Sequence, residues 1–273
     1  MKNIVICGCV RNCEPYIDGV FENIKVISSY CNVVKVIISY DVSTDKSLTQ
    51  IDKYKTCFDI DVIVNKNKLH SERVVNITNA RNSYMNHMNK LTTHIDRFIV
   101  MDFDDVCSSK INEDTLKKVF DHENEDTFQK CCITFNNSRY YDFWALSLED
   151  YVYSVWHTNN PKKMMWEMKK IMTQKLDECN CYIEVDSAFN GFGIYDYTVF
   201  RHLRYDCNIR NTKYNTVKVK KLIQNGYNLY FKGIDCEHRS FHFKAKENDG
   251  KIIILKDSLF QPYCGEHASF LYV

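Results

Sequence analysis

Proline and glycine are scarce in this sequence, at 3 and 8 residues in 273. No Pro/Gly-rich linker, repeat or low-complexity tract divides the chain, which argues against hinged lobes and for one continuous domain over 1–273. An excess of charge is missing too, because 36 Lys and Arg face 35 Asp and Glu. Without a whole-chain field to hold a polyanion, nucleic acid is not an expected partner. No stretch approaches the roughly 18 uninterrupted apolar residues of a membrane helix, so no membrane span is expected. The apolar start at Ile4–Val10 is short, lacks a small-residue cleavage site and runs into Arg11 and Asn12, so it reads as a first strand rather than a signal segment.

Cysteine is plentiful at 13 residues, but paired spacing is absent. The number is odd, the spacings are irregular (Cys7/Cys9, Cys131/Cys132, Cys179/Cys181) and no CxxC pair occurs, whereas structural zinc usually shows paired ligands at short fixed spacing. Free structural thiols in a reducing, cytoplasmic compartment are expected. The abundance of Lys, Asn, Ile and Tyr suggests an AT-rich genome, which a viral source and a host cytoplasm would fit.

Apolar, β-branched runs bounded by polar turns stand at Ile4–Cys9, Val33–Ser39, Ile60–Val64 and Phe98–Met101, with helical periodicity between them. This alternation predicts an α/β fold with a mainly parallel central sheet flanked by helices. Helices are predicted at Val74–Leu91 and Ile111–His122, and residues 1–125 read as a nucleotide-binding half. Residues 126–245 differ in texture, with aromatic strands near Cys132–Leu146 and Tyr182–Tyr195 and a helix capped by Asn160 and opened by Pro161. The stripe Met164, Met168, Ile171 and Met172 recurs at helical spacing and reads as core. From about Lys244 the pattern weakens, leaving 246–273 as a tail.

The segment richest in chemistry is Arg97-Phe-Ile-Val-Met-Asp102-Phe-Asp104-Asp105, an apolar strand finishing in three carboxylates. Positions i and i+2 of a strand face the same way, so Asp102 and Asp104 can reach one cation while Phe103 packs behind. Carboxylate oxygens suit Mg²⁺ or Mn²⁺, which bridge phosphate oxygens. Open α/β sheets bind ligands at the carboxyl ends of their strands, where this cluster falls. The same residues also match the strand-end pattern of a haloacid-dehalogenase-type phosphatase, with Asp102 as nucleophile and Asp104 as acid/base. Against that alternative, the pattern stands a hundred residues into the chain and no later GDxxxD-like pair follows.

Reading outward from that strand, the order of segments resembles the GT-A glycosyltransferases, particularly the Cap59-like capsule-associated group and related proteins of large DNA viruses. The resemblance covers about residues 3–243. Its pieces are Val10-Arg11-Asn12, Tyr40-Asp41-Val42-Ser43-Thr44-Asp45-Lys46-Ser47, Arg73 with Asn79-Ala80-Arg81-Asn82, Asp102-Phe-Asp104-Asp105, Tyr140-Tyr141-Asp142-Phe143-Trp144-Ala145-Leu146, Ser187-Ala188-Phe189-Asn190-Gly191-Phe192-Gly193-Ile194-Tyr195 and Asp235-Cys236-Glu237-His238. It implies a GT-A (Rossmann-like) domain that moves a sugar from a nucleotide-diphosphate donor, a UDP- or GDP-sugar, onto a glycan or glycoprotein hydroxyl.

Under that resemblance Val10, Arg11, Asn12, Asp41, Arg73, Arg81, Asp102 and Gly191 are candidate donor contacts. Asp41 can accept hydrogen bonds from base or ribose, although a turn or cap role fits it and Asp45 as well. Arg73 and Arg81 lie two helical turns apart, and guanidinium suits phosphate. Asp142 and Trp144 are assigned to the acceptor side. Asp102, Asp104 and His238 are the expected ligands of Mn²⁺ or Mg²⁺. Glu237, with Asp186 and Asp235 as alternates, is the expected catalytic base. A non-catalytic carbohydrate-binding module, its aromatics holding glycan and its acidic turn structural, is the alternative from outside the enzymes.

Overall fold

The computed structural model describes residues 1–122, 126–137 and 140–260. Ile4, Val5, Ile6 and Cys7 have no exposed surface, so β1 (Asn3–Val10) is buried on both faces, as an apolar run without alternation dictates. Pairing in parallel register with it are β2 (Asn32–Asp41) and β4 (Arg97–Met101), and β3 (Ile60–Asn65) pairs parallel with β2. The crossovers are α1 (Glu14–Ser28), α2 (Ser47–Lys53) and α3 (Arg73–Met88). Beyond β4 come α4 (Glu113–Asp121), β5 (Cys131–Asn136), α5 (Pro161–Glu178), β6 (Tyr182–Val185), β7 (Phe192–Asp196), α6 (Tyr197–Phe200), α7 (Thr216–Gln224), α8 (Glu237–Lys246) and β8 (Lys251–Ser258).

One eight-stranded sheet results, in the order β3-β2-β1-β4-β7-β5-β8-β6. The first four strands pair in parallel throughout, as expected. From β4 onward the sheet is mixed: β7 runs antiparallel to β4 and β5, β8 parallel to β5, and β6 antiparallel to β8. The tail boundary at 246 is also corrected, because the last described strand lies inside the sheet between β5 and β6.

Alternate residues feed two cores, one on each face. Val5, Cys7, Phe98, Val100, Ile252 and Ile254 join one, while Ile4, Ile6, Ile99, Met101 and Ile253 join the other. On the first face α5 buries Met164, Met168, Met172 and Leu176, each such side chain contributing about 1.5–3 kcal/mol of apolar burial. Its start is built as the sequence indicates, Asn160 accepting the Lys163 N–H at 3.1 Å and Pro161 standing first in the helix. Among the described residues no helix is long and apolar enough to cross a membrane.

Candidate active site

Strands β1, β2 and β4 deliver their carboxyl ends to one edge of the sheet, next to the switch between β1 and β4. Because β7 is antiparallel to β4, its first residue lies opposite the last of β4, Phe192 beside Met101. The turn before β7 thereby reaches the acidic segment, where the Asp102 N–H donates to the Gly191 carbonyl at 2.9 Å. Gly191 has φ +86°, and a Cβ there would come within 2.8 Å of the Tyr141 hydroxyl and of Val106. Phe103 is buried against Gly8 of β1, where any Cβ would meet its ring at 2.3 Å. Asp102 and Asp104 are both half-buried on either side of that anchor, and Asp104 Oδ1 accepts the Val106 N–H at 3.1 Å.

Arg81 of α3 ties three elements together. Its Nε donates to Glu237 Oε1 at 2.9 Å, and its Nη2 lies 3.4 Å from Asp102 Oδ1. The guanidinium is buried and lies over the rings of Phe189, at 4.8 Å, and Tyr205, at 5.7 Å. Glu237, the first residue of α8, is likewise buried. Arg81, Asp102 and Glu237, expected from widely separated segments, thus form one connected group.

His238 is adjacent but otherwise engaged. Its ring stacks on Phe189 with centroids 3.9 Å apart and meets the edge of Tyr205, and neither ring nitrogen has a hydrogen-bond partner. Burial, with the charge of Arg81 beside it, pushes the imidazole well below its ordinary pKa, so it is neutral. No three His, Cys, Asp or Glu side chains converge as a cation site among the described residues, so the expected third ligand does not join Asp102 and Asp104. Two half-buried carboxylates at a strand end still suit a hard divalent ion that shares its remaining positions with phosphate oxygens and water.

Two of the expected bases are engaged in ion pairs. Asp235 is fully enclosed and accepts from Arg239 Nε at 2.8 Å and from the Tyr214 hydroxyl. Arg239 in turn donates to the carbonyls of Trp144, Leu146 and Val152 and to the Ser147 hydroxyl, so the pair fastens the segment 144–152. Asp186 lies between Lys218, at 2.6 Å, and Lys246, at 2.8 Å. Burial works upward on its carboxyl, but the two ammonium groups outweigh it and hold the pKa below the ordinary value, leaving a weak base.

Asp142 stands close to the group. Its Oδ1 accepts the Ala145 N–H at 3.1 Å and its Oδ2 the Asn190 N–H at 3.2 Å, one residue from the Gly191 carbonyl that holds Asp102. Burial raises its carboxyl to about 6; those two N–H groups oppose the rise, and the charges of Asp102 and Glu237 add to it. Trp144, by contrast, packs edge-on against His157 at 6.4 Å.

At the β1 and β2 ends the residues are loop-builders. Val10 is buried, whereas Arg11 and Asn12 are exposed. Asn12 takes φ +55°, receives the Thr44 N–H at 2.8 Å and donates its own N–H to Ser43 Oγ at 3.0 Å, joining the two loops. Asp45 accepts the Glu14 N–H at 2.9 Å and so serves the start of α1. Asp41 is buried and receives the Asn65 amide at 2.8 Å, beside exposed Val42 and Val64. Arg73 is exposed at the first turn of α3, away from the buried Arg81.

The sequence reading missed Asn190, which orients Asp142, and Arg239, which fixes the neighbouring segment. The Asp235/Arg239 spacing of four on a helix start was the available signal. No disulfide joins any two of the twelve described cysteines, and Cys264 lies outside the described residues. Cys9 and Cys13 lie near the cluster, and burial raises both to about 12, so they are protonated at neutral pH and poor nucleophiles.

No family model matches the chain, and no curated protein matches it. Among solved structures it is similar to residues 1–349 of TarS from S. aureus in complex with UDP-GlcNAc. There the identity is 16% and the TM-score 0.51, covering 100% of this chain and 62% of that one. The same protein in complex with UDP gives 15% identity and a TM-score of 0.50, over 95% of this chain and 59% of that one. A mannosyltransferase from Pyrobaculum calidifontis, in complex with GDP-Man and Mn²⁺, gives 9% identity over 83% and 53% of the two chains, and its TM-score of 0.44 carries nothing further. This chain thus spans about three fifths of the TarS structures it resembles. The likeness shows the fold, a mixed α/β domain of the GT-A type.

Proposed function

We propose that this protein is a metal-dependent glycosyltransferase moving a sugar from a UDP- or GDP-sugar to a hydroxyl of a glycan or glycoprotein. The observation that carries this reading is the meeting of Asp102 and Asp104 with the buried Arg81–Glu237 pair at the carboxyl edge of a GT-A-type sheet. The UDP and UDP-GlcNAc complexes of the similar structure support a nucleotide-sugar donor.

In this reading Asp102 and Asp104 hold Mn²⁺ or Mg²⁺, which supplies charge stabilisation to the departing diphosphate. Arg81, kept charged by Glu237, faces the same anion, and Asp41 with Asn65 offers an acceptor and a donor to the base beside the apolar Val42 and Val64. The phosphatase alternative is weakened because Asp102 follows the fourth strand and contacts Arg81, while a pure carbohydrate-binding module gives no reason for a buried Arg81–Glu237 pair beside an acidic strand end. Placement in the Cap59-like or viral group rests on segment order alone, and a cytoplasmic location rests on the free thiols. Calorimetry with UDP- and GDP-sugars tests the reading: binding should require Mn²⁺ or Mg²⁺ and vanish with chelator. Failure of every nucleotide to bind with metal present sinks it.

A further inference from the structure

We infer that Asp142 is the general base that takes the proton of the acceptor hydroxyl, so that transfer inverts the anomeric carbon. This rests on the glycosyltransferase reading and extends it. The other carboxylates near the cluster are engaged. Glu237 neutralises Arg81, Asp235 is sealed against Arg239, Asp186 is clamped by two lysines, and Asp102 and Asp104 form the expected cation edge. Asp142 is held differently from Glu237, Asp235 and Asp186: its two oxygens each accept one backbone N–H, and a carboxylate has about four lone-pair sites.

Its position is as specific as its chemistry. Asn190 holds Asp142 through its N–H and receives the Tyr141 N–H on its own Oδ1 at 3.4 Å, while the next residue, Gly191, holds Asp102. The base is therefore fixed relative to the metal edge through one turn. Fixing on the other side comes from Arg239, which binds the carbonyls of Trp144 and Leu146 just after Asp142. The charged and titratable groups that face Asp142 among the described residues are Asp102 after β4, Cys236 and Glu237 at the start of α8, and Tyr140 and Tyr141 beside it in the chain. A carboxyl raised to about 6 by burial and by those anions is ionised at neutral pH yet basic enough to take a proton as the new bond forms.

The step balances without a further reactant. The acceptor oxygen bonds to the anomeric carbon as its proton passes to Asp142, and the bond from that carbon to the diphosphate oxygen breaks with its electron pair leaving on the nucleotide. Attack comes from the face opposite the leaving group, hence the inversion.

A panel of UDP- and GDP-hexoses with Mn²⁺, water serving as acceptor, tests this without the natural acceptor. The first anomer of free sugar seen by NMR with the wild-type protein should be inverted relative to the donor, a measurement that needs no variant. Asp142→Asn should lower hydrolysis by about 10²–10⁴-fold with nucleotide affinity unchanged, and should abolish the loss of rate that the wild type shows below about pH 6. A retained anomer, or an Asp142→Asn rate within about threefold of wild type at matched folded fraction, overturns the inference while leaving the glycosyltransferase reading intact. If no donor on the panel binds or is hydrolysed, the glycosyltransferase reading itself falls and this inference with it.

Discussion

Asp235→Asn separates a structural carboxylate from a chemical one. Asp235 and Arg239 are both fully buried, and their ion pair supports the carbonyls of Trp144, Leu146 and Val152. Removing one charge from such a pair strands the other, at a cost of about 3–5 kcal/mol. Asparagine keeps an acceptor for Arg239 Nε and for Tyr214, so the lower end of that range is expected. At about 2–4 °C per kcal/mol for a large domain, the melting temperature should fall by roughly 6–12 °C. Circular dichroism melting reads this directly, and donor hydrolysis measured well below the transition should stay near wild type per folded molecule. A melting temperature within about 2 °C of wild type, coupled with lost turnover, would show that Asp235 does chemistry and that the ion-pair argument is wrong.

Asp102→Asn and Asp104→Asn should each abolish metal-dependent nucleotide binding while moving the melting temperature little, since both side chains are half-buried at a strand end; calorimetry with UDP and Mn²⁺ decides it. His238→Phe keeps the stack on Phe189 and loses only two unpartnered nitrogens, so the Mn²⁺ concentration for half-maximal nucleotide binding should not change. A tenfold rise there would restore His238 as a ligand. For Asp142, a folded carboxyl near 6 lies above the ordinary carboxylate range, so ionisation opposes folding as pH rises from about 4 through 6, by at most about 3 kcal/mol. Wild-type melting temperature should therefore decline across that window, and Asp142→Asn should flatten the decline; an equal decline in both refutes the assignment. Glu237→Gln leaves buried Arg81 with the longer contact to Asp102 and the Tyr84 hydroxyl at 3.3 Å, and weakened diphosphate binding by calorimetry is expected.

The parallel half of the sheet was legible because β1, β2 and β4 are apolar runs with turn residues at their ends. The acidic edge was legible because an apolar strand running into three carboxylates marks a strand end, although Asp102 and Asp104 flank buried Phe103 in the bend after β4 rather than on the strand itself. What escaped was set by partners that single segments do not reveal. Asp186 reads as a poised carboxylate until Lys218 and Lys246 close on it from two other elements. His238 reads as a ligand by composition, yet the ring face, not the nitrogens, makes its contacts. The run Ile252–Leu255 is a short apolar stretch between Lys251 and Lys256, and only its pairing with β5 and β6 places it inside the sheet.

That strand also sets a timetable for synthesis. The sheet partner of β6 is β8, which emerges from the ribosome about 65 residues later, an interval of roughly 3–13 s at ordinary elongation rates. Until then β6 has its hydrogen-bonding edge unpaired and β5 is paired only with β7, while the β1–β4 half already has its parallel neighbours. A nascent chain stalled before residue 251 therefore displays an open, apolar strand edge, the kind of surface that chaperones cover and that pairs with other chains when they do not.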